Sequence, residues 1–274
     1  MKLRDWVFLG AAASVGTLVY GALVEANRLV LERRTLRLPR WPERLRGYKI
    51  AVVSDLHLRD RHSQTLAERA VAMALDADPD MVVIPGDVVA YWKPPTPKIV
   101  GDVLEPLVMM NGNVIVTPGN HEYWAGDAEW LRPILDELGI RYLRNEAWRH
   151  GGITWIGVDS ANADRADPEA AFESAGDDEP KVVLWHEPDL VGRLPEGAAL
   201  MIAGHSHGGQ FRLPNGWSPM TTLNGRIFKD GFFPNAPTPL YVSRGVGTTG
   251  PPSRLFCPPE VSLLRLLPGS HPVL

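Results

Sequence analysis

Five times along the chain a short apolar run stops at a cluster of polar residues. KIAVV leads into SDLH (54–57), MVVIP into GD (86–87) and NVIVTP into GNHE (119–122). KVVLW leads into HEP (186–188), and ALMIA into GHSH (204–207). Runs this short, rich in β-branched residues and bounded by turn signals, predict strands buried on both faces. ITWIGVDS (153–160) and the closing RLFCPPEVSLLRLL (254–267) predict two more, and TLRLP (35–39) a short extended stretch before a Pro/Trp turn.

Helical spacing of apolar positions predicts a helix over 63–76, with Ser63 as its cap, and another over 128–139 ending at Gly139. Residues 163–180 read as an acidic loop or weak helix, and the Pro-rich 93–97 and the region 213–239 as surface loops. Strands alternating with helices imply an α/β layered fold, in which ligands gather beyond the carboxyl ends of the strands.

The 274 residues, 45% hydrophobic and 22% charged, are those of a globular chain able to bury a full core. The single cysteine, Cys257, excludes an intrachain disulfide and any multi-thiolate metal site. Residues 1–49 carry ten Lys/Arg against four Asp/Glu, which leaves 18 against 28 in the rest, a net −10 within a total of −4. So acidic a body is a poor match for long nucleic acids, and no nucleic-acid partner is expected.

From Trp6 to Val24 nineteen residues pass without a charge. As a helix they would span roughly 28 Å, about one bilayer core. Two readings compete, an uncleaved anchor and a signal peptide with small residues around Glu25–Ala26. Arg4 is followed by Asp5, so there is no twin-arginine signal. Two Lys/Arg precede the span and five lie between Arg28 and Arg40, which favours a single-pass anchor with the body on the cytoplasmic side. Residues 1–27 then form the anchor, 28–46 a basic juxtamembrane segment with the first strand, and 47–268 the functional domain; export is the alternative.

The strand ends offer Asp55, His57, Asp87, Asn120, His121, His186, His205 and His207. Taken singly, each motif has an ordinary explanation: DLH can be a strand-end turn, GD any tight turn, His186 a satisfied core histidine. Together they form a mixed nitrogen and oxygen set suited to Mn²⁺, with Fe or Zn²⁺ as the other fits, and poorer for Mg²⁺ or Ca²⁺. Even seven of these eight donors are too many for one zinc ion and right for two cations sharing a bridge. Glycines at 86, 119, 204, 208 and 209 leave room for backbone to approach.

The ordered set DLH, GD, GNHE, H and GHSH resembles the calcineurin-like metallophosphoesterases over about residues 40–267. It is most similar to a bacterial membrane-associated branch that includes cell-wall phosphodiesterases and UDP-diacylglucosamine pyrophosphatases. GHSHGGQF, SRGVGTTGPP and CPPEVSLLRL add to the likeness. Ala90 stands where red-coloured acid phosphatases have a Tyr, and GDVVAY lacks the Arg of the Ser/Thr protein phosphatases, so those branches are disfavoured.

The resemblance implies a four-layer αββα sandwich and a metal pair. Metal 1 would lie on Asp55, His57, Asp87 and His207, and metal 2 on Asp87, Asn120, His186 and His205. His121 would be the non-ligand histidine beside the leaving group. The implied reaction is hydrolysis of a phosphodiester or pyrophosphate bond by in-line attack of a hydroxide bridging the two cations. The basic, apolar N-terminal part points to a lipid-linked substrate.

The alternatives are a nucleotide phosphodiesterase, a general phosphomonoesterase and, from another class, a scaffold that has lost catalysis. Arg59, Arg61, Trp92, Tyr123 and Trp124 follow the motifs and are candidates for pocket lining. Glu122 reads as a supporting residue, while His62, His150 and His271 belong to no motif.

Overall fold

Strands apolar on both faces need cover on both sides, and the chain supplies it with two six-stranded mixed sheets packed together. The computed structural model describes residue 6, residues 15–176 and residues 179–270. The first sheet is built from β1 (Val30–Leu38), β2 (Lys49–Val52), β3 (Met81–Pro85), β4 (Val114–Thr117), β5 (Arg141–Tyr142) and β12 (Glu260–Pro268), in the order β1-β12-β2-β3-β4-β5. The second holds β6 (Glu146–His150), β7 (Ile153–Gly157), β8 (Lys181–Leu184), β9 (Ala198–Ala203), β10 (Gly231–Phe233) and β11 (Leu240–Val242), in the order β10-β11-β9-β8-β7-β6.

Side chains alternate along each strand, so one run feeds two cores. Ile50 and Val52 face the second sheet, where they join Trp155, Leu184 and Ile202. Ala51 and Val53 face outward under α1 (Arg61–Asp76), α2 (Thr96–Leu104) and α3 (Arg132–Glu137). The second sheet is covered more thinly, by α4 (Pro168–Glu173) and a 3₁₀ turn at Pro188–Arg193. The layers are therefore αββα, as the resemblance implied.

Several local readings need correction. Asp60, not Ser63, caps α1: its side chain accepts the Ser63 backbone N–H at 2.9 Å, and Ser63 Oγ reciprocates on the Asp60 N–H at 3.1 Å. The Pro-rich 93–97 runs into α2, because Pro97 sits in a first turn whose N–H groups have no helical partner anyway. The region 213–239 contains β10, three residues whose pairing with β11 no local pattern announces. The weak acidic helix is real over Pro168–Glu173, while Asp177 and Asp178 lie outside the described residues, as does His271.

TLRLP belongs to a nine-residue strand that pairs in parallel with β12 along its whole length. Arg33, Arg34 and Arg37 project from this edge into solvent, where charge discourages further strand pairing. Of the apolar stretch read as an anchor, residues 7–14 lie outside the described residues and 15–23 are helical. Among the described residues no helix is long and apolar enough to cross a membrane.

Candidate metal centre

The five polar clusters meet because their strands are neighbours. β2, β3 and β4 end side by side in one sheet and β8 and β9 in the other, with the polar turns beyond their carboxyl ends. Five donors adopt the left-handed backbone that L-residues avoid: Asp55 (φ 53°), His57 (47°), Asp87 (54°), His205 (69°) and His207 (50°). Each such residue costs roughly 1–2 kcal/mol and persists only where its surroundings over-determine it. Two glycines permit the crowding. A Cβ on Gly119 would stand 2.3 Å from Asp87 Oδ1, and one on Gly204 would stand 2.0 Å from Ser54 Oγ.

Asp55, His57, Asp87 and His207 offer four donor atoms within 4.8 Å of one another; Asp87, His186 and His205 form a second such group. Asp87 belongs to both. Its Oδ2 lies 3.0 Å from His186 Nε2 and 3.6 Å from His57 Nε2, while Oδ1 accepts the His121 backbone N–H at 2.9 Å. His57 Nε2 and His207 Nε2 are only 2.9 Å apart, two ring nitrogens meeting in a buried space. Asn120 Oδ1 is buried with no hydrogen-bond partner among the described residues.

Neighbouring carbonyls fix the ring tautomers, since a carbonyl oxygen can only accept. His186 Nδ1–H donates to Pro85 O at 2.7 Å, which leaves Nε2 to face Asp87. His205 Nε2–H donates to Leu223 O at 2.6 Å, which leaves Nδ1 for the cluster. His121 Nδ1–H donates to Ala90 O at 2.7 Å, leaving Nε2 free to act. These bonds orient the rings as supporting contacts do around bound metals.

Electrostatics say that the space wants positive charge. Burial raises Asp55 to about 6 despite the opposing His186 charge. Burial alone would raise Asp87 too, but the His186 and His121 imidazoles beside it hold it well below the usual carboxylate range. Burial disfavours a charged His186, yet Asp87 and Asp55 outweigh that and raise it well above the usual value. His57 and His207 are pushed well down by burial, so their rings are neutral and able to offer lone pairs. Convergent imidazole and carboxylate donors with an idle amide oxygen fit two divalent cations sharing Asp87.

Six of the eight predicted site residues form the two donor groups, His121 joins them through its backbone N–H on Asp87, and Asn120 lies between Gly119 and His121 with its Oδ1 buried. Glu122 takes the supporting place read for it: its carboxylate accepts the backbone N–H groups of Asp87 (3.0 Å), Val89 (3.0 Å) and Gly119 (2.6 Å), tying the GD and GNHE loops to each other. Burial pushes its carboxyl up to about 7. Glu122→Gln puts an amide donor against one of those donors, so it is expected to cost about 1–3 kcal/mol of stability. Urea denaturation measures it, and a loss under about 0.5 kcal/mol would contradict the clamp.

Of the candidate lining residues, Trp92 is buried and donates from Nε1 to Glu122 O at 2.7 Å. Tyr123 donates its hydroxyl to Asp159 at 2.7 Å, and Arg59 donates to Thr248 O at 2.8 Å. Arg61 opens α1 on the surface. Only Trp124 presents an exposed ring next to the site, 3.6 Å between centroids from His121.

Three contributors escaped the sequence reading. Glu187, wholly buried, accepts from Ser160 Oγ (2.6 Å) and the Asn162 N–H (3.1 Å). Asn162 in turn donates to Leu223 O at 3.0 Å beside His205. Arg254 is fully buried behind His207, caged by the carbonyls of Arg244, Gly245 and Gly247. Glu187 could have been suspected from its place after His186; nothing local marks the other two.

The model of the family described as calcineurin-like phosphoesterase matches residues 48–209. An uncharacterised metallophosphoesterase of Helicobacter pylori is 31% identical over 233 residues, 81% of this chain but 60% of its own length, so the chain spans less than two thirds of that relative. Phosphodiesterase YaeI of Escherichia coli is 28% identical, with 84% of this chain and 86% of the relative covered. The UDP-2,3-diacylglucosamine pyrophosphatase LpxG of Chlamydia trachomatis is 27% identical, with 93% and 94% covered.

Proposed function

The chain belongs to the calcineurin-like phosphoesterases, a family of metal-dependent phosphoester hydrolases, and on that footing we propose that it cleaves phosphodiester or pyrophosphate bonds of a substrate held in or near a bilayer. The observation that carries the hydrolase reading is the pair of buried donor groups sharing Asp87, with His121 alongside. Asp55, His57, Asp87 and His207 would hold one cation, and Asp87, Asn120, His186 and His205 the other. The mixed donor set favours Mn²⁺ over the competing Zn²⁺ or Fe. When bound, such a pair neutralises phosphoryl oxygens and acidifies water for in-line attack.

The protein's own residues do the rest. Asp87 fixes the spacing of the two donor groups and, through the His121 N–H, the position of that backbone. His121, held at Nδ1 by Ala90 O, would in its doubly protonated form pass the Nε2 proton to the departing oxygen and be left as the neutral Nδ1–H ring. Lipid-borne substrate is supported by the nineteen uncharged residues at 6–24 and by the likeness to a diacylglucosamine pyrophosphatase. The same stretch and the basic residues that follow it favour a membrane-held chain with its body in the cytoplasm; a reporter fused after Leu274 that is active only when exported would overturn that orientation.

Turnover of bis-p-nitrophenyl phosphate, p-nitrophenyl phosphate and a UDP-diacylated sugar, with the metal varied, tests the assignment. Diester or pyrophosphate cleavage should exceed monoester cleavage, and no metal-dependent turnover of any of them would sink it. Chelation and dialysis should abolish activity, and titration of Mn²⁺ followed by calorimetry should restore it with two equivalents bound. Saturation at fewer than about one equivalent would revive the scaffold alternative.

A further inference from the structure

Three segments border the His205–His207 turn: the helical residues 15–23 with Val24, the loop 210–229, and the return 245–259. They are bonded side by side. Arg254 N–H donates to Gly21 O at 3.1 Å, Leu255 N–H to Gln210 O at 3.0 Å and Arg212 N–H to Leu255 O at 2.9 Å. Leu223 O accepts from His205 itself. The segments therefore form the border of the donor site rather than a remote patch.

Two properties of this border stand apart from the rest of the molecule. Leu18, Leu23, Trp217, Leu223, Ile227 and Phe256 are between 56 and 71% exposed, large apolar side chains turned to solvent on all three segments. Scattered exposed apolar residues are normal, but a cluster bordering a site marks an interaction surface. The three segments also hold no Asp or Glu, although the chain beyond residue 49 carries 28 of them. They do hold Arg226 and Lys229, between and beside the exposed Leu223 and Ile227.

Exposed apolar side chains flanked by Arg226 and Lys229 suit one kind of partner, a bilayer with anionic headgroups. The neighbouring carboxylates are already engaged, Asp189 by the backbone N–H groups of Arg226, Ile227 and Phe228 and Asp230 by Arg212. The apolar residues enter the boundary between headgroups and acyl chains, and Arg and Lys meet the phosphates. An acidic protein surface would satisfy the cations and leave the leucines and tryptophan in water. We propose that this border is a membrane-docking surface that seats the mouth of the metal centre on an anionic lipid bilayer. It rests on the reading of the substrate as bilayer-borne, and it extends that reading. The mouth meets headgroup phosphates at the surface, and a lipid-linked phosphoester need not leave its leaflet to be reached. Residues 15–24, joined to the border at Gly21, lie on the same side and would continue it.

The full chain, reconstituted in vesicles of phosphatidylcholine with or without phosphatidylglycerol, tests this with nitroxide labels at L223C, I227C and L18C. Cys257 is buried, so the unsubstituted chain serves as the blank. M109C, exposed near the opposite ends of the strands just before β4, is the aqueous control. Labels at 223 and 227 should lose most of their accessibility to a water-soluble nickel relaxant and gain it to oxygen, more strongly with phosphatidylglycerol, while 109 stays aqueous. R226E with K229E should remove the phosphatidylglycerol dependence.

Aqueous labels at 223 and 227 with a protected label at 18 would overturn the docking surface while leaving the membrane reading intact. Aqueous labels at all four positions would overturn both. Protection of 223 and 227 without vesicles, rising with protein concentration, would mean a second copy of the chain instead and would also overturn the proposal. None of these readouts needs turnover, so a failed hydrolase assignment is told apart.

Discussion

Asp87→Asn is expected to lower turnover by about 10³ or more, equivalent to roughly 4 kcal/mol of transition-state stabilisation, and to drop the metal content from two equivalents to at most one. Asp87 is the one side chain common to both donor groups. Its Oδ2 lies between His186 Nε2 and His57 Nε2, at 3.0 and 3.6 Å. The amide removes the negative charge that offsets two divalent ions held a few ångströms apart. It also turns N–H donors toward ring nitrogens, or else toward the His121 N–H that Oδ1 now accepts. Elemental analysis of the purified variant reads the stoichiometry and a diester assay reads the rate. Two equivalents retained with activity within tenfold of the parent would refute the bridging role.

His121→Ala should behave differently, and the contrast carries the information. His121 stands outside both donor groups, so two equivalents of metal should remain bound. Turnover should fall by about 10²–10⁴, the usual contribution of a positioned proton donor. The loss should be largest for an alkoxide leaving group and smallest for p-nitrophenolate, which departs without help. A uniform loss across leaving groups, or a drop in metal content, would mean that the ring positions ligands rather than protons. The exposed Trp124, its ring tilted against His121, makes W124A a useful companion, since it loosens the ring without removing it.

Much of the site was legible because it is written locally. An apolar run followed by Asp, His or Asn states both where a strand ends and which atoms wait there, and all five such ends converge. The helices were legible where amphipathic spacing was long, as in α1. They were lost where proline disguised a first turn, as in α2. Glu122 was recognised as a supporting residue, but its three backbone partners come from separate loops and no spacing rule links them. Arg254 is harder still. An arginine in a loop is ordinarily solvated, and only the carbonyl cage at Arg244, Gly245 and Gly247 makes its complete burial tolerable.

Residue identity and apolar periodicity settled the donor types, the order of the strands that carry them and the α/β class, because those depend on neighbours a few positions apart. Packing settled everything that depends on distance between segments far apart in the chain. β1 and β12 pair along nine residues, though some 230 positions separate them, and that return brings the carboxylate-free segment 245–259 beside the His205–His207 turn. The left-handed backbone at five donors, the carbonyls that choose each histidine tautomer and the sharing of Asp87 exist only once both sheets stack. Local propensity opposes such conformations, and tertiary contacts outweigh it only after the chain has closed around the site.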